Sequence, residues 1–184
     1  MNNCKRKLWM DINKYIGNKK KSEKLLCFLY YNGIYASVIY RLLNYIGHKR
    51  NFIFKILYRI LFIIVYIPFK NLTGVEIHPM ATIEGGLFIP HCNGIVISKS
   101  AKIGENFTIH QFSTVGVNYK NKMAPTIGDN VFVSCNSSLI GHINVGNQVY
   151  ILPNSSVVKN VPHNVVVGGV PSKIVKVREE MENI

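Results

Sequence analysis

Residues 127–157 read IGDNVFVSCNSSLIGHINVGNQVYILPNSSV, and the aliphatic positions Ile127, Val133, Leu139, Val145, Ile151 and Val157 recur every six residues. Neither the 3.6-residue period of a helix nor the alternation of a half-buried strand gives that spacing. Toward the N-terminus, Ile97, Ile103, Ile109 and Val115 form a second register, and Ile77, Ile83, Ile89 and Ile95 form another. This is an internal repeat. Each hexad accommodates one short strand and one turn, with its leading aliphatic inward and a small residue such as Ala81, Ala101, Ser113, Ser137 or Ser155 at the corner. Three hexads close a triangular coil. Residues 18 apart, such as Val133 and Ile151, then stack on successive coils at the ~4.8 Å spacing of neighbouring strands. Turn chemistry agrees, since Gly104-Glu105-Asn106, Gly128-Asp129-Asn130 and Gly146-Asn147-Gln148 supply residues that tight turns favour.

Ahead of the repeat the chain changes character. Residues 1–74 hold 14 Lys and Arg against Asp11 and Glu23, whereas residues 75–184 hold 8 against 7 acids, so the net charge of +13 sits almost wholly in the first part. The reading divides the chain into a basic, aromatic-rich helical segment (1–73), the repeat domain (74–177) and a C-terminal tail (178–184). A length of 184 residues with 48% hydrophobic and 17% charged residues suits one main core and excludes a disordered composition. Four scattered cysteines without a Cys-x-x-Cys pair point to a reducing cytoplasm. The basic start at Lys5-Arg6-Lys7 is not followed by the apolar run of a secretory signal.

Leu25, Leu26, Phe28, Leu29, Ile39, Leu42 and Leu43 are spaced as a helical face requires, and a further helix is expected from Phe52 to Ile67, ended by Pro68. The longest wholly apolar run there, Ile60 to Ile67, is far shorter than the ~20 residues of a spanning helix. Three readings stay open for this segment: a cap on the main core with a basic solvated face, an interfacial anchor on an anionic membrane, or a nucleic-acid contact. Tyr, Phe and Ile interleaved with basic residues suit anionic lipid. No nucleic-acid-reading motif accompanies the charge, so a nucleic-acid partner is not expected.

The repeat, together with Gly74-Val75-Glu76-Ile77-His78-Pro79, Leu87-Phe88-Ile89-Pro90-His91, Thr114-Val115-Gly116, Pro125-Thr126-Ile127-Gly128-Asp129-Asn130-Val131 and Val167-Gly168-Gly169-Val170-Pro171-Ser172-Lys173-Ile174-Val175, resembles the hexapeptide-repeat acyltransferases. Within them it resembles the serine O-acetyltransferase branch and its polysaccharide-modifying relatives. The resemblance implies a mainly β fold, a left-handed parallel β-helix, assembled as a homotrimer and using acetyl-coenzyme A as cosubstrate. Moving an acetyl group from a thioester to a hydroxyl requires a base for the hydroxyl proton, and histidine suits that task near neutral pH. His91 matches the family's catalytic histidine, and Glu76, 15 residues earlier, matches the carboxylate that orients it. No metal is implied; a zinc site would need three converging histidines, usually including a close pair along the chain, and that pair is missing.

The rhythm fails between Val115 and Ile127, leaving an insertion around Gly116–Pro125 that must project outward. By the resemblance this loop walls the active site at a subunit contact, and a Gly116 backbone N–H is suited to the oxyanion of the tetrahedral intermediate. The family's coenzyme groove falls on Cys135, Asn136, Pro153 and Asn154, with Lys159 and Lys173 near the phosphates. Ser134, Cys135, Leu152 and Pro153 stand where the family usually has Gly or Ala, which changes the groove's shape.

Serine enzymes of the family carry an aspartate before the catalytic histidine and a second histidine before the proline that reopens the coil. Pro90 and Ala124 hold those positions here. That departure favours a sugar hydroxyl in surface polysaccharide synthesis, at the inner face of the cytoplasmic membrane. Serine acetylation in cysteine biosynthesis is the alternative, and a non-catalytic scaffold or sugar-binding β-helix is the reading from another class.

Overall fold

The computed structural model describes residues 3–120 and 122–177; the proposed tail at 178–184 lies outside them. From Val75 onward the chain winds as a parallel β-helix with three faces. One face stacks β1 (Val75–Ile77), β3 (Ile95–Ile97), β6 (Thr114–Gly116), β9 (Ser138–Ile140) and β12 (Ser156–Val157). The second stacks β2 (Thr82–Ile83), β4 (Lys102–Ile103), β7 (Thr126–Ile127) and β10 (Asn144–Val145). The third stacks β5 (Thr108–Ile109), β8 (Phe132–Val133), β11 (Tyr150–Ile151) and β13 (Val165–Gly168), and closes with the antiparallel β14 (Lys173–Val177).

The repeat aliphatics form this core. All fourteen are buried, as are the corner residues Ala81, Ala101, Ser113, Ser137 and Ser155. Val133 pairs with Ile151, and Ile97 with Val115, each 18 residues on. The corner serines satisfy backbone groups that the bends expose: Ser113 Oγ donates to the Ser134 carbonyl at 2.9 Å and Ser137 Oγ to that of Leu152 at 3.0 Å. Asn106, Asn130, Asn136, Gln148, Asn154 and Asn164 take left-handed φ values at the turns, a conformation that Asn tolerates better than most residues.

Two coils depart from 18 residues. Ile77 pairs with Ile97 and Phe88 bridges Thr108, both 20 apart, while Val96 already pairs with Thr114 at 18. The two extra residues therefore lie between Phe88 and Val96, around His91. This corrects the run Ile77, Ile83, Ile89, Ile95: Ile95 sits opposite Val75, and Ile97 is the ladder partner of Ile77. The second departure is the loop after Gly116, across which Ile103 pairs with Ile127 and Val115 with Leu139, 24 apart. That loop projects, with Tyr119 almost fully exposed.

The N-terminal residues form α1 (Asn3–Ile16), α2 (Lys21–Tyr30), α3 (Asn32–Gly47), α4 (Phe52–Leu61), a π-helical turn (Phe62–Tyr66) and α5 (Ile67–Thr73). Glu23 accepts the Lys20 N–H at the start of α2, and Asn51 caps α4 by accepting the Ile53 N–H. Pro68 does not end the fourth helix. The wide turn, with the Ile67 N–H bonded to the Phe62 carbonyl five residues back, accommodates the proline ring, and helix continues to Gly74, which stops it with a left-handed φ of 67°. The expected leucine face is also corrected. Leu25, Leu26, Leu29 and Leu42 are exposed, because α2 buries only Cys27 and α3 packs through Ile34, Ala36, Tyr40, Leu43 and Ile46 instead.

A solenoid's first coil has no strand before it, so its backbone groups lack ladder partners. Side chains from the helices supply them. Asp11 Oδ1 accepts the N–H groups of Gly86 and Leu87, both at 2.8 Å. Arg41 donates to Asp11 through two nitrogens, at 2.8 and 3.0 Å, and also to the carbonyls of Ile83 and Glu84. Tyr40 Oη donates to the Ala81 carbonyl and accepts the Ile83 N–H, while Asn44 donates to Pro79 and Ala81. Burial pushes the Tyr40 hydroxyl up to about 12, which keeps it a donor. Asp11 and Arg41 are both buried; burial raises the carboxyl above the usual range, opposed by Arg41 and the two N–H groups.

Candidate active site

His91 follows Pro90 on the expanded stretch between the third and first faces, and its side chain is exposed. The run that carries it is held from behind by the helices. Tyr15 Oη accepts the Ile89 N–H at 2.8 Å and donates to the Ile89 carbonyl at 3.3 Å, two residues before His91. Gly33 lets α3 come this close, since a Cβ there would collide with the Ile89 carbonyl oxygen and the Tyr15 hydroxyl. Cys92, beside His91, has its thiol pushed up to about 12 by burial, so it is no ready nucleophile.

His110 lies one coil on, with its ring centroid 5.9 Å from that of His91 in an edge-to-face arrangement. Its pKa is lowered from 6.5 by burial and then by repulsion from His91, so His110 favours the neutral form when His91 is charged. Sequence reasoning left His110 as a surface or cleft residue; the 19-residue separation, close to one coil, is the signal that would have paired it with His91. Beyond it Phe132 and Tyr150 stack at 4.6 Å, extending an aromatic row along this face. Gln111 Oε1 is buried without a hydrogen-bond partner.

Glu76 is on β1, half-exposed, with its carboxylate bonded at 2.8 Å to the Lys70 ammonium. No hydrogen bond joins it to His91 among the described residues. His78 braces a turn, its Nδ1 accepting the Met80 N–H at 3.0 Å. Gly116 ends β6 opposite Ile140, and a Cβ there would meet the Ile140 side chain at 2.7 Å. Among the described residues no group of three or more His, Cys, Asp or Glu side chains is arranged to hold a metal ion.

No family model matches the chain. Serine acetyltransferases of Staphylococcus epidermidis and Staphylococcus aureus are 44% and 43% identical to it over 106 residues, 56% of this chain and 50% of each of theirs. The chain thus spans about half the length of the curated relatives it matches. Among solved structures, a Neisseria gonorrhoeae serine acetyltransferase in complex with serine superposes with a TM-score of 0.78 at 29% identity, over 94% of this chain and 69% of that one. A Brucella abortus serine acetyltransferase in complex with coenzyme A gives 0.80 at 27%, over 95% and 68%. The chain is a hexapeptide-repeat β-helix protein of the serine acetyltransferase type.

In this serine acetyltransferase-type solenoid the expected groove residues fall on two consecutive corners. Cys135 and Asn136 occupy one, Pro153 and Asn154 the next, and the Cys135 carbonyl accepts the Asn154 N–H at 3.1 Å. Asn136 Nδ2 donates to Asn154 Oδ1 at 2.6 Å, which gives both residues a structural reason to be there. The Ser134 hydroxyl is buried between strands without a partner. Lys159 and Lys173 are exposed, one after β12 and the other opening β14, among the C-terminal strands.

Proposed function

We propose that the protein is an O-acetyltransferase that moves an acetyl group from acetyl-coenzyme A to an acceptor hydroxyl, with His91 as general base. The supporting observation is an exposed imidazole raised on a two-residue expansion of the coil, in a solenoid of the serine acetyltransferase type. In one direct step the acceptor O–H gives its proton to His91 as its oxygen attacks the thioester carbonyl. The tetrahedral intermediate then collapses, the C–S bond breaks, and the imidazolium returns the proton to the departing sulfur. A Gly116 backbone N–H is assigned to the oxyanion. Glu76 would steady the imidazolium once it exchanges Lys70 for His91. Cys135, Asn136 and Pro153 line the donor groove, and Lys159 and Lys173 meet the coenzyme's phosphates. A homotrimer would let the loop after Gly116 wall the site from a neighbouring subunit.

The relatives support serine as acceptor better than the sugar reading, since those quoted are serine acetyltransferases and none is named for a polysaccharide. Serine acetylation is therefore the leading assignment. Two observations keep a sugar hydroxyl as the second. Pro90 and Ala124 lack the polar groups that serine enzymes have at those positions, and the row His110, Phe132, Tyr150 offers aromatic faces beside His91. Thiol release from acetyl-coenzyme A over a panel of L-serine, nucleotide sugars and glycan fragments separates them. Turnover confined to sugars overturns the serine assignment. His91→Ala is expected to lower turnover by roughly 10²–10⁴-fold with unchanged circular dichroism; unchanged turnover removes His91 from the chemistry, and no thiol release with any acceptor favours a scaffold.

A further inference from the structure

The helix that runs unbroken from Phe52 to Thr73 is 22 residues long and, by length and composition, apolar enough to cross a membrane. It nevertheless has two unlike faces. One packs on the protein: Tyr58 and Phe62 stack at 5.8 Å, Phe62 and Tyr66 at 4.8 Å, Phe69 packs against the core, and Tyr66 Oη donates to the Ile77 carbonyl of the first coil at 3.1 Å. The other presents Ile53, Ile56, Ile60, Ile63, Ile64 and Leu72, between 43% and 87% exposed. So large an apolar strip on a soluble surface calls for a partner.

We propose that this outer face lies in the plane of an anionic membrane surface, with the β-helix held above it. Charge selects the occupant. Between Glu23 and Glu76 the chain has no acidic residue, while Lys49, Arg50, Lys55, Arg59 and Lys70 flank or interrupt the strip. A second copy would bring the same cations and no anion to the contact, whereas anionic headgroups complement them. Lys55 and Arg59, one turn apart, fall on the same edge of the apolar band, where long basic side chains reach headgroups while their stems stay in apolar surroundings. The inner face selects the orientation, because a helix threaded across the bilayer would have to give up its aromatic packing and the Tyr66 bond to the first coil. The proposal stands apart from the acceptor assignment.

Flotation of the full chain with vesicles of phosphatidylcholine alone, or with phosphatidylglycerol added, tests it. Binding is expected only with phosphatidylglycerol, and it should weaken at high salt. The triple variant Ile60→Ser, Ile63→Ser, Ile64→Ser should bind about 100-fold more weakly, and Lys55→Gln with Arg59→Gln should cost about fivefold per charge. Circular dichroism and melting temperature should not change, because all five side chains are exposed. Equal binding by wild type and triple variant overturns the proposal, as does binding without preference for the anionic lipid. Resistance of the bound protein to alkaline carbonate replaces the in-plane mode with a spanning helix. A wild type that ignores vesicles but sediments as a larger assembly than the triple variant assigns the face to a second copy.

Discussion

The β-helix and the helices before it solve opposite problems. The coil repeats one inexpensive solution: an aliphatic every six residues and a small corner residue, each strand meeting the backbone of the next, so that no single side chain is indispensable to the design. The helical region is unrepeated and specific. Its inner surface is a set of polar side chains, Asp11, Tyr15, Tyr40, Arg41, Asn44 and Tyr66, each matched to particular N–H or C=O groups of the first coil. The difference teaches that a solenoid's interior follows from periodicity, whereas its end must be fitted group by group.

The sharpest way to break that contrast is to remove one partner of the buried pair. Arg41→Ala leaves the Asp11 carboxylate buried, and two carbonyls lose their donor. The expected loss of stability is about 3–5 kcal/mol. A ladder truncation such as Ile151→Ala is expected to cost about 2–5 kcal/mol through its cavity. The two should differ in kind more than in size. Hydrogen exchange in Arg41→Ala should rise first at residues 83–89 of the first coil, whereas Ile151→Ala should loosen the C-terminal coils. Arg41→Ala with no change at residues 83–89 would show that the helices do not secure that edge.

A smaller effect connects the cap to the site. Tyr15→Phe removes the group that both accepts from and donates to Ile89, leaving a buried N–H without its acceptor. The expected cost is about 1–3 kcal/mol. If the cap positions the His91 run, the variant should also lower the catalytic rate constant more than it raises KM for acetyl-coenzyme A. A stable, fully active variant would confine Tyr15 to packing.

How much of this was legible follows from the same contrast. The ladder could be read directly, because inward positions are set by local spacing alone. The extra residues at His91 could not, since Ile95 and Ile97 are both buried at the ends of β3 and either one continues a six-residue count. Asp11 and Arg41 look like surface charges in sequence. Only the packing of α1 and α3 on an unpaired coil edge makes their burial favourable. Pro68 reads as a stop because its ring clashes in an α-helix, and the π-turn that relieves the clash leaves no sequence mark. Glu76 was placed with His91 by resemblance; its hydrogen-bonded partner is Lys70, a residue from the helical region with no repeat to announce it.

The smallest expected effect is a pH dependence that tells the coil's outer face from the cap's buried pair. His110 has a folded pKa below its ordinary 6.5, through burial and then the neighbouring His91. Below that value the unfolded chain binds the proton more readily than the native one, so stability falls as pH drops from 6.5 toward the folded pKa and then levels off. His78 acts in the same direction, its pKa lowered by burial and by Lys99. Asp11 acts in the opposite sense, because burial raises its pKa: native Asp11 holds its proton more tightly, and stability falls as pH rises from 3.8 through the raised value. Chemical denaturation of wild type between pH 7.5 and about 5.5 should therefore show decreasing stability on the acid side. His110→Gln should flatten that slope in part, leaving the His78 share. An unchanged slope in His110→Gln would mean that the imidazole edge facing His91 is as well solvated as in the unfolded chain, and the two rings would not then form one site.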